Sequence, residues 1–513
     1  MQKKQKSLNS QLFCTFDFVE STLVRENSKY FWFSSHLIVP LHCFNPIMMD
    51  IKELYKLYQQ HPCITTDSRN CPEGSIFLAL KGDKFNGNDY ALQALEKGCV
   101  YAIVSEEFRV KSEEFATATK GSAMTTVQAD SSLFTLHSSL IRVNDTLQTF
   151  KDLAREHRRQ FDIPVVGITG TNGKTTTKEL IAAVLSTQYN VLYTQGNFNN
   201  DVGVPKTLLR LSKEHDIAVI EMGASHPGDI KTLVETAEPT CGLITNVGRA
   251  HLQGFGSFEG VCKTKGELYD FLCSRELPVF VNRDNEHLMK MVEGRKSALD
   301  LYYYGQSDNP DILIRGEVIS CAPFLKFRWR EQDSDAGYQS EWMEVQTHLI
   351  GAYNLDNMLA AIIVGYVNNV PFDDINRALA DYTPQNNRSQ LTVTQHNRLV
   401  VDAYNANPTS MKAAIDNFRL MEVSPKMVIL GQMGELGDVS QEEHQRVVRM
   451  LREAQFDQVW LVGEEWKQTD NTFRNFANVE EVKAAIRQEH LENQYILIKG
   501  SNSVKLYELP ELL

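Results

Sequence analysis

One stretch restricts this chain more than any other: Val165-Val-Gly-Ile-Thr-Gly-Thr-Asn-Gly-Lys-Thr-Thr-Thr177. The apolar run from Pro164 to Ile168 predicts a buried strand, and Leu180, Ile181, Val184 and Leu185 fall on one face of a helix that follows. A small-residue turn between strand and helix makes a phosphate cradle. Gly170 and Gly173 let the amides of Gly170-Thr171-Asn172-Gly173 curl toward an anion, and the helix N-terminus at Lys174-Thr175-Thr176 adds unpaired N–H donors. Lys174 supplies a point charge and Thr175 a hydroxyl for Mg²⁺. The strict P-loop spacing asks for glycine at 168; here Ile168 stands there, with Gly167 one place earlier, so the loop is a variant. An ordinary strand-to-helix turn is the plain alternative, but Gly-Lys-Thr at this junction argues for a nucleotide.

At 513 residues the chain is long enough for about three domains of roughly 150 residues each. Its 52 basic against 65 acidic residues give a net charge of −13, which argues against non-specific nucleic-acid binding while leaving an anionic substrate open. Nine cysteines are scattered with no Cys-x-x-Cys pair, so neither zinc nor a redox couple is indicated and a reducing, cytoplasmic setting is expected. No apolar run reaches the roughly eighteen residues of a membrane span. Residues 1–48 read as an extension: their basic start is not followed by a clean apolar stretch, and regular patterning begins at Met48 or Met49.

The expected fold class is α/β in three domains: a small α/β unit at 49–150, a central P-loop unit at 151–388 and a Rossmann-like unit at 389–513. Within the first, 105–138 reads as a loop or irregular insertion and Arg142 to Phe161 as a helical connector. After the P-loop, Ile217–Ile220, Gly242–Thr245 and Pro278–Val281 are short apolar runs alternating with helical stretches, the pattern of a mostly parallel, doubly wound sheet. Glu221, Asn246 and Asn282 end those runs and are expected in the crevice at the strands' carboxyl ends. Residues 312–350 read as a β-hairpin excursion carrying Arg315, Lys326, Arg328 and Arg330. The third unit repeats the alternation, with Asp402 and Lys499-Gly-Ser501 at strand ends.

A metal triphosphate needs hard oxygen ligands and a clamp at its far end. Glu221 is the best-placed Mg²⁺ ligand. His251, one loop past another strand end, is a weaker candidate on its own, since a lone histidine is more often structural; Lys263 and Lys265 read plainly as solvent-facing. Arg388 falls at the join of the second and third units, where domain closure would bring it to a phosphate.

Several segments together resemble the Mur ligases of peptidoglycan synthesis: Thr169–Thr175, Asn197-Phe-Asn-Asn-Asp-Val-Gly-Val-Pro205, Glu221-Met-Gly-Ala224, Ala250-His-Leu-Gln-Gly-Phe-Gly256 and Asp402-Ala-Tyr-Asn-Ala-Asn-Pro-Thr-Ser-Met411. Asp67-Ser-Arg69, Ala79-Leu-Lys-Gly82 and Leu430-Gly-Gln-Met-Gly-Glu-Leu-Gly437 point within that family to the branch that adds a dipeptide. The resemblance runs from about Met49 to the C-terminus and leaves out 105–138.

It implies an ATP-dependent amide ligase, acting as a cytoplasmic monomer on UDP-N-acetylmuramoyl-tripeptide and D-alanyl-D-alanine. ATP would lie on the P-loop, with Lys174 on its phosphates and two Mg²⁺ ions held by Thr175, Glu221, His251 and Lys265. By the same resemblance Lys265 is the lysine that reacts with CO₂ to form a carbamate, turning a cation into an oxygen ligand. Asn282, Asp284, Asn354 and Asn357 would line the adenine side, Arg388 would clamp the γ-phosphate, and Asp402 would hold the ribose or a metal-bound water. Ser68, Arg69, Lys81 and Gly82 are expected on the uridine diphosphate; Asn199, Asn200, Asn405, Asn407, Ser410 and Ser501 on the other substrate groups. Two departures stand out: Tyr353 where the family often has histidine, and Asn86-Gly-Asn88 in place of Asp-Gly-His. Another amide ligase of the superfamily, an earlier Mur ligase or a folylpolyglutamate synthase, is the near alternative, and a non-catalytic nucleotide switch the distant one.

Overall fold

The computed structural model describes residues 47–82, 84–108, 139–295, 300–321, 323–334, 336–384 and 390–513. Three α/β units follow one another, each around its own sheet. The first has a five-stranded, all-parallel sheet in the order Ile47–Met48, Leu140–Val143, Tyr101–Ser105, Ile76–Leu78, Ile64–Thr65. Its opening helix, Ile51–Gln60, starts where Asp50 and Glu53 form a reciprocal capping box, and it buries Leu54, Tyr55 and Tyr58. Arg142 belongs to a strand and not to the expected helical connector, which begins only at Thr146. Leu140-Ile-Arg-Val143 is a short, mostly buried run, with three of four side chains buried, that the charged helix after it masked. Most of the expected insertion, 109–138, lies outside the described residues.

The central sheet has ten strands, and the strand before the P-loop, Val165–Thr169, sits between Ile217–Glu221 and Cys241–Ile244, parallel to both. Parallel pairing continues outward through Val279–Asn282 and Leu301–Gly305 to Ile312–Cys321. There the sheet turns antiparallel, with Phe324–Asp333 paired to both Ile312–Cys321 and Met343–Ile350. So the expected hairpin excursion is an extension of the central sheet itself. Helices cover both faces, which is why the parallel strands read as continuous apolar runs. On one face the P-loop helix, Lys174–Leu185, packs with Asn354–Val367, a helix buried on nearly every side. On the other lie Asp229–Ala237 and Phe258–Cys273.

The third unit has six strands in the order Gln390–Val393, Arg398–Asp402, Tyr495–Lys499, Lys426–Gly431, Gln458–Val462, Arg474–Phe476, all parallel except the first pair. Apolar clusters fill both of its faces. Two neighbouring strands end in Asp402 and Lys499, whose Cα atoms are register partners.

Candidate active site

The P-loop is built as its residue types require. Gly170 and Gly173 have φ of +145° and +79°, and a Cβ at 170 would collide with the Thr245 hydroxyl, while one at 173 would sit 2.6 Å from Asn357 Oδ1. The helix that follows has no side-chain cap, so its first amides stay directed into the turn. Lys174 Nζ donates to the carbonyls of Gly170 (2.8 Å) and Thr171 (3.1 Å). Behind the loop, Asn246 accepts from the Asn172 amide at 3.0 Å and donates back to the Asn172 carbonyl at 3.0 Å.

Glu221 ends the neighbouring strand and is only 1 % exposed. Its Oε1 accepts from Thr175 Oγ1 (3.1 Å) and Asn199 Nδ2 (2.8 Å), whereas Oε2 has no hydrogen-bond partner among the described residues. A buried carboxylate oxygen in that condition is stabilised by a cation. His251 stands at the start of a short helix with φ of +51°, a left-handed conformation that costs a non-glycine residue energy, and its Nδ1 pairs with Glu435 of the third unit. The imidazole's hydrogen bond holds Glu435 below the usual carboxylate range.

Lys265 is 2 % exposed, in the helix Phe258–Cys273, with its ammonium 5.6 Å above the Phe255 ring. This corrects the plain reading of Lys265 as solvent-facing. Burial first, and then the charge of Lys174, push its pKa well below the ordinary lysine value, against the pull of Asp229 and Glu267. Asp229 is itself fixed by the amides of Ser225 and His226, both at 2.8 Å. The Thr175 hydroxyl and the buried Glu221 carboxylate, with one oxygen unpartnered, fit a divalent cation. They do not make a ready-made cage, since no group of three His, Cys, Asp or Glu side chains is gathered for a metal among the described residues.

A cavity of about 890 Å³ opens over Glu221 and the P-loop and is walled by two units; Thr175 and Lys265 lie behind its lining. Thr171, Asn172, Gly173, Lys174, Thr176, Asn199, Asn200, Glu221, His251, Asn354 and Asn357 line the central side; Asp402, Asn405 and Ser410 line the opposite side. The fourteen lining residues just named were all expected from the sequence except in their partners. Asn357 braces the P-loop by accepting from Thr177 Oγ1 at 3.0 Å. Asp402 accepts from Lys499 Nζ at 2.6 Å, and that lysine, buried at 1 %, also donates to the Asn405 carbonyl at 3.0 Å. Asn407 caps the helix Pro408–Leu420 reciprocally with Ser410 and reaches Asn172 Oδ1 at 2.8 Å.

Other expected residues lie off the cavity wall. Asn282 holds the Asp284 amide at 3.0 Å, and Asp284 takes the Ser307 amide at 3.1 Å. Ser501 donates to the Gln432 carbonyl at 3.0 Å. Ser68, Arg69, Lys81 and Gly82 sit on the first unit, where the Arg69 guanidinium grips Asp67 with two bonds of 2.9 Å and Lys81 pairs with Glu107 at 3.0 Å. Those bonds hold the Asp67 carboxyl down at about 2. Arg388 lies outside the described residues. Lys499, Asp229 and Asp356 line the cavity and were not named as site residues in the sequence reading. A polar residue ending an apolar run was the available signal for Lys499; Asp229 and Asp356 begin helices and look like ordinary N-terminal acids.

A P-loop facing a second polar sheet edge across one cleft defines a nucleotide-dependent enzyme of the ligase type. The chain belongs to the Mur ligase family: residues 62–158 match the Mur ligase family catalytic domain, 168–365 the Mur ligase middle domain and 387–502 the Mur ligase glutamate ligase domain. It is 31 % identical over 456 residues, 88 % of this chain and 93 % of the relative, to UDP-N-acetylmuramoyl-tripeptide--D-alanyl-D-alanine ligase of Escherichia coli. Crystal structures of MurF from Acinetobacter baumannii (TM-score 0.74, 27 % identity, covering 89 % of this chain and 97 % of that one) and of MurF ligase from Thermotoga maritima in complex with ADP (0.73, 25 %, 91 % and 98 %) share the architecture.

Proposed function

We propose that this chain joins D-alanyl-D-alanine to the terminal carboxylate of UDP-N-acetylmuramoyl-tripeptide at the expense of ATP, giving the pentapeptide, ADP and phosphate. The observation that carries this reading is the single cleft walled by the P-loop on one side and by Asp402, Asn405 and Ser410 on the other. Residues 49–150 would bind the uridine nucleotide through Ser68, Arg69, Lys81 and Gly82, residues 151–388 the ATP, and residues 389–513 the dipeptide. The enzyme acts as a cytoplasmic monomer. No helix among the described residues is long and apolar enough to cross a membrane.

A carboxylate does not accept an amine until one oxygen becomes a leaving group. The P-loop amides and Lys174 draw charge from the triphosphate as its terminal phosphoryl passes to the tripeptide carboxylate, forming an acyl phosphate. The dipeptide's free amine then attacks the acyl carbon and phosphate departs. Thr175, Glu221, His251 and the carbamate of Lys265 would hold the two Mg²⁺ ions, which when bound neutralise charge shared between the anionic reactants. Asn199 fixes the Glu221 carboxylate for that task. Burial lowers the pKa of the Lys265 amine and so favours the free base, which would add to CO₂ and lose a proton to become an anionic carbamate. Arg388 is assigned to the γ-phosphate, and closure of the third unit keeps water from the acyl phosphate.

Purified protein given all three substrates should release phosphate, and omission of any one should stop it. Equal turnover with D-alanine in place of the dipeptide would assign the chain to a different ligase.

A further inference from the structure

We infer that Arg249 and Glu443 are a positioning pair that sets how the third unit seats against the P-loop. Glu443, on the helix Ser440–Ala454, is 1 % exposed, and its Oε1 accepts from Arg249 Nη1 at 2.8 Å across the boundary between the units. Its Oε2 has no hydrogen-bond partner among the described residues; Arg446 Nη1 lies 3.9 Å from it. The Arg249 amide also donates to Thr409 Oγ1 at 3.2 Å, one residue beyond the start of the helix that Asn407 caps.

Arg249 stands on a segment tied to the P-loop at its other end. Asn246 holds the Asn172 backbone, and the Gly248 amide donates to Thr171 Oγ1 at 2.9 Å. One short segment therefore grips the phosphate loop on one side and the wall carrying Asp402 to Ser410 on the other. Packing at this edge is loose: a cavity of about 470 Å³ lies between the units, lined by Arg249, Glu443, Arg446, Thr409, Phe258 and His287. The Arg249 contacts to Glu443 and Thr409 bridge this gap and give the seam directional bonds.

The physics gives the pair an asymmetric signature. Glu443 is buried in this pose and its hydrogen-bonded cation, Arg249, comes from the central unit, so misaligned closure leaves the carboxylate only Arg446, at 3.9 Å, as a weaker partner. Arg249 is 52 % exposed and remains solvated without its partner. Removing the arginine is thus more harmful than neutralising the glutamate, and neutralising both relieves the damage.

The inference rests on the proposed function, and its test separates the two. In Arg249→Met the KM for the dipeptide should rise about tenfold while that for ATP stays within about twofold, and X-ray scattering with a non-hydrolysable ATP analogue should give a larger radius of gyration than the parent. Glu443→Gln should change the dipeptide KM by less than about threefold, and Arg249→Met with Glu443→Gln should return it to that range. Thermal unfolding checks that each variant is folded. Equal losses in the two single variants, no recovery in the double one, or unchanged scattering in Arg249→Met would overturn the pairing. Phosphate release by the parent that ignores the dipeptide would instead overturn the functional reading, leaving scattering to decide the pair.

Discussion

Two polar clusters in this molecule were both visible as short motifs, yet they are opposite in construction. At the P-loop side, Glu221 and Lys265 are buried, at 1 % and 2 % exposure; one Glu221 oxygen has no hydrogen-bond partner among the described residues, and burial disfavours the charged form of Lys265. On the first unit, the side chain of Arg69 is 87 % exposed and Lys81 is similarly open; each is already satisfied by a neighbouring acid. A desolvated cluster is strongly perturbed and depends on what enters it, whereas a solvated one exchanges one weak partner for another at little cost. On the proposed function, chemistry belongs to the first kind of site and recognition to the second.

If that contrast is right, the largest losses come from the buried cluster. Lys174→Met should lower kcat by about a thousandfold with the fold unchanged by circular dichroism, because the charge it meets develops in a water-poor cleft. If Lys265 carries the proposed carbamate, Lys265→Arg should lose about a hundredfold, since arginine keeps a cation where the carbamate would supply an oxygen ligand; added bicarbonate should raise the activity of the parent and not of the variant. Near-normal turnover in Lys265→Arg would remove the carbamate from the mechanism. Arg69→Ala should act on KM for the uridine substrate alone, by about tenfold, and the penalty should shrink as salt is raised. Glu107→Gln, which frees Lys81 from its partner, should shift that KM by less than about threefold. A hundredfold loss at either exposed position would break the contrast.

The smallest effect tests burial without catalysis. His157 and His444 are held below the ordinary value of 6.5, chiefly by burial. The unfolded chain takes up protons near 6.5 that the folded chain refuses, so stability is lost as pH falls through 6.5 toward the folded-state values and levels off beneath them. A drop of about 2 °C in Tm between pH 7 and pH 5, reduced in His444→Gln, is the expected reading by calorimetry.

Legibility in the sequence followed the same division. The strand, the glycine turn and the helix from Pro164 to Leu185 were readable because backbone geometry leaves residue types little choice. Apolar runs ending in Glu221, Asn246 and Asp402 revealed the sheet edges for a similar reason: a buried strand tolerates polarity only at its end. What stayed hidden depends on pairing between distant segments. Nothing local distinguishes Lys265 from the solvent-facing lysine that its polar surroundings imply, and its burial follows from how the helix Phe258–Cys273 lies on the sheet. Lys499 could be noticed at its strand end, but its bond to Asp402 requires knowing that those two strands are neighbours. The strand Leu140–Val143 was obscured because the charged helix after it dominated the pattern.

The brace between Thr177 and Asn357 spans 180 residues of chain. During synthesis the phosphate loop leaves the ribosome long before the helix that steadies it, and the strands of the extended sheet edge are made in between. A nascent chain halted before Asn354 would carry the complete loop sequence and still lack its support. Nucleotide affinity should therefore be acquired late in translation, as a property of the finished sheet and not of the loop that touches the phosphates.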